Sequence, residues 1–125
     1  MFDGAFGTFV QDLDLGPDDF GGAHLEGCNE MLALTRPDVI EAMHDPFLSV
    51  GVDAIETASF GSFATVLSEY DIADKAFELN QAAASIARRV ADDHEADGRP
   101  RFVAGSIGPG TKLPSLGHIG WDELV

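Results

Sequence analysis

Basic side chains are scarce in this chain. Seven Lys and Arg stand against 22 Asp and Glu in 125 residues, for a formal charge of −15. Phosphate backbones and anionic membrane surfaces are gripped by clustered Lys and Arg, so nucleic acid and membrane are excluded as partners. The excess acid reads as a solvated, strongly negative surface. Cysteine is nearly missing too. Cys28 stands alone, which rules out an internal disulfide and fits a reducing cytoplasm. No positively charged start leads into an apolar run, and nothing approaches the roughly 20 apolar residues of a membrane span. The expectation is a soluble, cytoplasmic protein. Internal repeats and low-complexity tracts are also lacking.

What the chain does have is an ordinary globular share of apolar residues, 45%, and a recurring pattern. Three short apolar stretches, starting at Met1, Val52 and Phe102, each break off into a polar, Gly-rich turn. Helical stretches separate them. Buried parallel strands have this form when functional groups sit at their C-terminal ends, the ligand face of α/β sheets and barrels.

Met1-Phe2 is the stump of a strand, shorter than the usual five or six residues. The segment 7–13 suits a short helix, and 15–27 is turn-rich. Thr35 is a candidate N-cap, with Pro37 near the first helical position and Asp38 three residues on, close to a capping box. Val39, Ile40, Met43 and Phe47 form the apolar side of the helix that follows. Pro46 is expected to kink or shorten it, and Gly51 to stop it. After a strand at 52–57, a longer helix is expected over 71–96, its stripe formed by Ile72, Ala76, Leu79, Ala83, Ile86 and Val90. Asp92, Asp93, Glu95 and Asp97 crowd its end, where the helix dipole disfavours negative charge. The third strand starts at Phe102, and Trp121 begins another helical turn. With a clipped first strand and an opening helix at the end, the chain is expected to be part of a larger domain.

Four places carry candidate chemistry. Asp3, followed by Gly4 and Gly7, either holds a zwitterion, with its carboxylate on the ammonium and backbone N–H groups on the carboxylate, or caps a tight turn. Glu56 lies in an otherwise apolar strand, where an unpaired carboxylate is costly, so it must reach a cation, a hydrogen-bond donor or the strand's open end, as a functional ligand or in a structural ion pair. The loop Gly105-Ser106-Ile107-Gly108-Pro109-Gly110 offers backbone N–H groups but lacks the Gly-Lys-Ser/Thr ending of a phosphate loop. For metal, His24 and Cys28 form a single i, i+4 pair, while His44, His94 and His118 are scattered. No set of three or four zinc ligands is apparent, and His44 reads as a packing or capping residue. No Ser/His/Asp or Cys/His nucleophile arrangement can be drawn.

The motifs taken together are more specific than any one alone. Asp-Gly-Ala-Phe-Gly-Thr (3–8), Leu-Glu-Gly-Cys-Asn-Glu (25–30), Leu-Thr-Arg-Pro-Asp-Val-Ile (34–40), His44, Gly-Val-Asp-Ala-Ile-Glu-Thr (51–57) with Phe60-Gly61, and Gly-Ser-Ile-Gly-Pro-Gly-Thr-Lys-Leu-Pro (105–114) follow one another in order. This ordered set resembles the homocysteine-binding, or homocysteine S-methyltransferase, domain of cobalamin-dependent methionine synthases. The resemblance implies that residues 1–125 are an incomplete N-terminal part of that domain, a partial (β/α)8 TIM barrel of about the first three β/α units. It implies homocysteine as substrate and zinc as activator of its thiol, with a methyl group arriving from cobalamin on a separate module. The partners it implies are the remaining barrel and the folate and cobalamin modules. Metal coordination suits that chemistry, because a free thiol, with a pKa near 8.5, is mostly protonated at neutral pH. By the same resemblance, Asp3, the backbone at Gly4, Ala5 and Phe6, Glu56 and Ser106 line the amino-acid end of the pocket.

Two departures from the family pattern are Phe6, where Met is usual, and Ala58, where Asn follows the Glu-Thr pair. The family's zinc cysteines come from later strands, and Cys28 matches a cysteine that is not a ligand. A second reading is a self-contained acidic α/β binding module. A third keeps the barrel but takes the methyl group from betaine or S-methylmethionine; the 108–114 tract favours the cobalamin enzyme. Metal analysis of this purified chain is expected to find no tightly held zinc. One zinc retained per chain contradicts that expectation.

Overall fold

A computed structural model describes residues 1–4, 6–95 and 98–124. At its centre, β1 (Ala54–Glu56) runs parallel to β2 (Phe102–Ala104), with Ala54 opposite Phe102, Ile55 opposite Val103 and Glu56 opposite Ala104. On its other side β1 meets the N-terminal segment through a parallel bridge from Ala54 to Phe2. The three apolar stretches therefore lie side by side, all pointing the same way. Backbone pairing reaches past the formal strands. Asp53 N–H donates to Met1 O at 2.9 Å, Phe102 N–H to Asp53 O at 2.8 Å, and Thr57 N–H to Ala104 O at 2.9 Å.

Seven α-helices occur among the described residues: α1 (Phe6–Gln11), α2 (Pro17–Phe20), α3 (Leu32–Thr35), α4 (Pro37–Ser49), α5 (Ala64–Leu67), α6 (Ala76–Asp93) and α7 (Trp121–Leu124). Single 3-10 turns link several of them. The two long helices, α4 and α6, pack against each other and against β1. Val39, Ile40, Met43 and Leu48 from α4 meet Leu79, Ala83, Ile86 and Val90 from α6 in one core that also holds Ile55. Each fully buried Leu or Ile contributes about 1.5–3 kcal/mol of hydrophobic stabilisation, so this face holds the sheet in place. None of the described helices is long and apolar enough to cross a membrane.

Local details depart from the sequence expectations. Thr35 does not cap α4. Its hydroxyl donates to Met31 O at 3.1 Å and closes α3, the back-bonding that Ser and Thr offer in competition with capping. Arg36 takes the N-cap position, and its guanidinium grips Asp38 at 2.9 and 2.7 Å. Pro46 does not shorten α4, which continues to Ser49. Both Pro46 and Ala42, whose carbonyl the proline ring leaves unbonded, are exposed, so the lost bond falls on the solvent side of the helix. The longer helix starts at Ala76 rather than Asp71, because Asp71 adopts a left-handed φ of 58° and a 3-10 turn, Ala73–Lys75, intervenes. At the other end of α6, Arg88 bonds Asp92 at 2.7 Å and Glu95 at 3.0 Å and offsets the crowded acids. Ala96 and Asp97, also part of that expectation, lie outside the described residues.

His44 occupies α4 one turn after Ile40 and is fully buried. Burial pushes its pKa from 6.5 down to about 4. Between those values the unfolded chain binds a proton that the folded chain refuses, so stability falls as pH falls. The full shift corresponds to about 3 kcal/mol. Urea unfolding between pH 7 and pH 4 is expected to show this decline in the native protein and a shallower one in His44→Leu. Equal slopes contradict it.

Candidate functional site

A cavity of about 480 Å³ opens at the C-terminal ends of the three parallel segments. Asp3 and Gly4 follow the first segment, Glu56 and Thr57 end the second, and Ser106 follows the third; all of them line it. Strand direction alone gathers these residues. A parallel sheet sends every chain into its loops on the same side.

Asp3 forms the floor. Its side chain is only 4% exposed, and both carboxylate oxygens accept the Glu56 N–H at 3.1 Å. The carboxylate thus ties the first segment to the end of β1. Burial raises its pKa, the Glu56 N–H bond opposes that, and the negative charge of Glu56 adds to the rise. A Cβ on Gly4 would stand 2.8 Å from the tip of the Phe47 ring, which would have to shift to admit it. Phe6 lines the cavity half-buried. Ala5 lies outside the described residues.

Glu56 reaches the open end of its strand and a hydrogen-bond donor, two of the outcomes its apolar strand allowed. It is exposed, because β1 ends at this residue and the side chain emerges at the cavity. The Ser106 hydroxyl donates to Glu56 Oε2 at 3.1 Å. Ser106 is itself fixed by a small network. Its N–H donates to Thr57 Oγ1 at 3.0 Å, the Thr57 and Ser59 hydroxyls lie 2.6 Å apart, and the Ser59 hydroxyl donates to Ser106 O at 2.8 Å. Further on, Gly108 N–H donates to Phe60 O at 2.8 Å, and a Cβ on Gly108 would meet that same oxygen at 2.7 Å. The loops after β1 and β2 are thereby joined edge to edge, and only glycine permits the approach.

Glu30 is a site residue that sequence reasoning left without a role. It lines the cavity, and its Oε1 accepts the Gly61 N–H at 2.9 Å. The Cys-Asn-Glu segment carried part of the resemblance, which was the available signal. With Asp3 and Glu56 it makes three carboxylates around the cavity, and no Lys or Arg is among the lining residues. Such a lining favours a ligand that brings a positive charge and leaves backbone N–H groups to receive any negative one.

The described residues do not fit zinc. The three cavity carboxylates are not grouped so as to hold a metal ion, and no other set of three or more His, Cys, Asp or Glu side chains among the described residues is. The Cys28 thiol is buried, and burial together with the Glu30 charge pushes its pKa up to about 11, so it is protonated and a poor ligand at neutral pH. His24, its i, i+4 neighbour, is exposed.

Comparison with known proteins agrees with this architecture. The homocysteine S-methyltransferase family model matches residues 1–125. Methionine synthase from Mycobacterium tuberculosis is 54% identical over 116 residues, covering 93% of this chain and 10% of that protein. Methionine synthase from Mycobacterium leprae is 53% identical over the same length and shares. The chain thus spans about a tenth of the length of these curated relatives. The crystal structure of the homocysteine methyltransferase MmuM from Escherichia coli, in its oxidized form, aligns with a TM-score of 0.69 at 19% identity, over 86% of this chain and 36% of that one. The helix-rich chain with its small parallel sheet therefore has the fold of part of that protein. On the full-length family match, the chain belongs to the homocysteine S-methyltransferase family.

Proposed function

We propose that this chain supplies the amino-acid-binding wall of a homocysteine S-methyltransferase of the methionine synthase type, as the first β/α units of a (β/α)8 barrel. The observation that carries the reading is the cavity at the strand ends, ringed by Asp3, Glu30 and Glu56 and free of basic side chains. Family membership over the whole chain supports it, as does the identity with two methionine synthases.

In this reading the ammonium group of homocysteine takes the Asp3 and Glu56 carboxylates. The backbone N–H groups of Gly4, Ala5 and Phe6 receive its carboxylate, and Ser106 orients Glu56. Held at that end, the thiol projects away from the three acids. The described residues offer zinc no ligand set, so thiol activation is not assigned to them. Zinc, cobalamin and the remainder of the barrel belong to the larger enzyme in the same proposal, and the protein would work in the cytoplasm.

A charge-assisted hydrogen bond to a buried carboxylate contributes about 1.5–3 kcal/mol, roughly one to two decades in affinity. Calorimetric titration of the full-length protein with homocysteine is expected to show Asp3→Asn binding at least tenfold more weakly, and Glu56→Gln about tenfold more weakly. Binding of 4-mercaptobutanoate, which lacks the ammonium, should be weak and nearly indifferent to both substitutions. Near-native homocysteine affinity in Asp3→Asn contradicts the assignment.

A further inference from the structure

One imidazole stands behind the cavity with its polar atoms unused. His44 is fully buried, and among the described residues neither ring nitrogen has a hydrogen-bond partner. Burial holds it neutral at physiological pH. A neutral imidazole still carries one N–H, and a buried donor without an acceptor is penalised by its lost hydration. Such orphans in native structures call for an explanation.

A carboxylate faces it. Asp3 Oδ2 lies 3.9 Å from His44 Nδ1, about 1 Å beyond a normal N–H···O distance. Among the described residues, the Asp3 carboxylate receives only backbone N–H groups, that of Glu56 and its own, whereas an ionised carboxylate has about four lone-pair sites. An unused donor and an undersupplied acceptor thus oppose each other across a gap that a small movement closes. Asp3 is also the group whose negative charge burial opposes.

We propose that His44 is a positioning residue for substrate: when an amino-acid ammonium group binds Asp3 from the cavity, His44 Nδ1–H donates to Asp3 Oδ2 from behind. The hydrogen bond sets the carboxylate's orientation against the ligand, and the ligand satisfies a donor that is idle in its absence. Substrate binding and the packing of α4 are coupled through this one contact. The inference rests on the homocysteine reading of the cavity and adds to it a residue that never touches the ligand.

The test is made on the full-length protein labelled with 15N-histidine. Addition of homocysteine is expected to move the His44 Nδ1–H proton signal downfield and slow its exchange with water. An unchanged His44 signal while homocysteine binds overturns this inference alone. If the wild-type protein does not bind homocysteine, the reading of the cavity falls and this inference falls with it. Affinity supplies the second arm. His44→Leu is expected to bind homocysteine about tenfold more weakly, with His44→Asn recovering most of the loss because its amide offers a donor near the Nδ1 position. Affinity for 4-mercaptobutanoate should change less than twofold. Equal losses for the two ligands mark a purely structural role and overturn the proposal. Should His44→Leu fail to fold, the signal of the unaltered protein decides.

Discussion

The site depends on one buried carboxylate reaching across two strands. Asp3 accepts the backbone N–H of Glu56 through both oxygens, joining the N-terminal segment to the last residue of β1. Without that bond the first segment is held to the sheet by the Phe2 bridge and by Met1, whose carbonyl and terminal ammonium engage Asp53. Asp3 is therefore both a structural latch and an acid of the cavity whose side chain is almost fully buried. Burying a carboxylate is expensive unless it is well supplied with donors. Burial accordingly raises its pKa.

Around that latch, the chain builds rigidity with few regular elements. Two long helices cover the sheet, and their shared core fixes β1 from one face. The opposite need, a precise cavity rim, is met by backbone and hydroxyl contacts. Ser59, Thr57 and Ser106 hold one another, and the Gly108 approach to Phe60 joins the two loops. Small side chains do this work because larger ones would fill the space the loops must share. The same reasoning applies to Gly4 beneath the Phe47 ring.

Much of this was legible in the sequence where periodicity or chain direction decides the outcome. Leu79, Ala83, Ile86 and Val90 repeat at helical spacing and are buried. Three apolar stretches breaking into Gly-rich turns gave the ligand face, since parallel strands leave their loops on one side. What stayed hidden depends on contacts between distant residues. Nothing local distinguishes Thr35 closing α3 from Thr35 capping α4; the outcome turns on which backbone group its hydroxyl reaches. The apolar neighbours of Glu56 left open whether it meets a cation, a donor or the strand's open end, and the end of β1 exposes it to the Ser106 hydroxyl. Glu30 joins the cavity only because the loop after β1 presents the Gly61 N–H to it. His44 shares a helical face with Ile40, so packing was expected, but its facing Asp3 is a product of tertiary structure.

The central claim is that the three strand ends form a single amino-acid site whose charged floor is Asp3. Amide chemical-shift mapping of the 15N-labelled protein with homocysteine tests it most directly. The account expects the largest changes at Gly4, Phe6, Glu56, Thr57 and Ser106, three segments far apart in sequence that meet at one cavity. Changes confined to other surfaces, such as the outer face of α6, would contradict it.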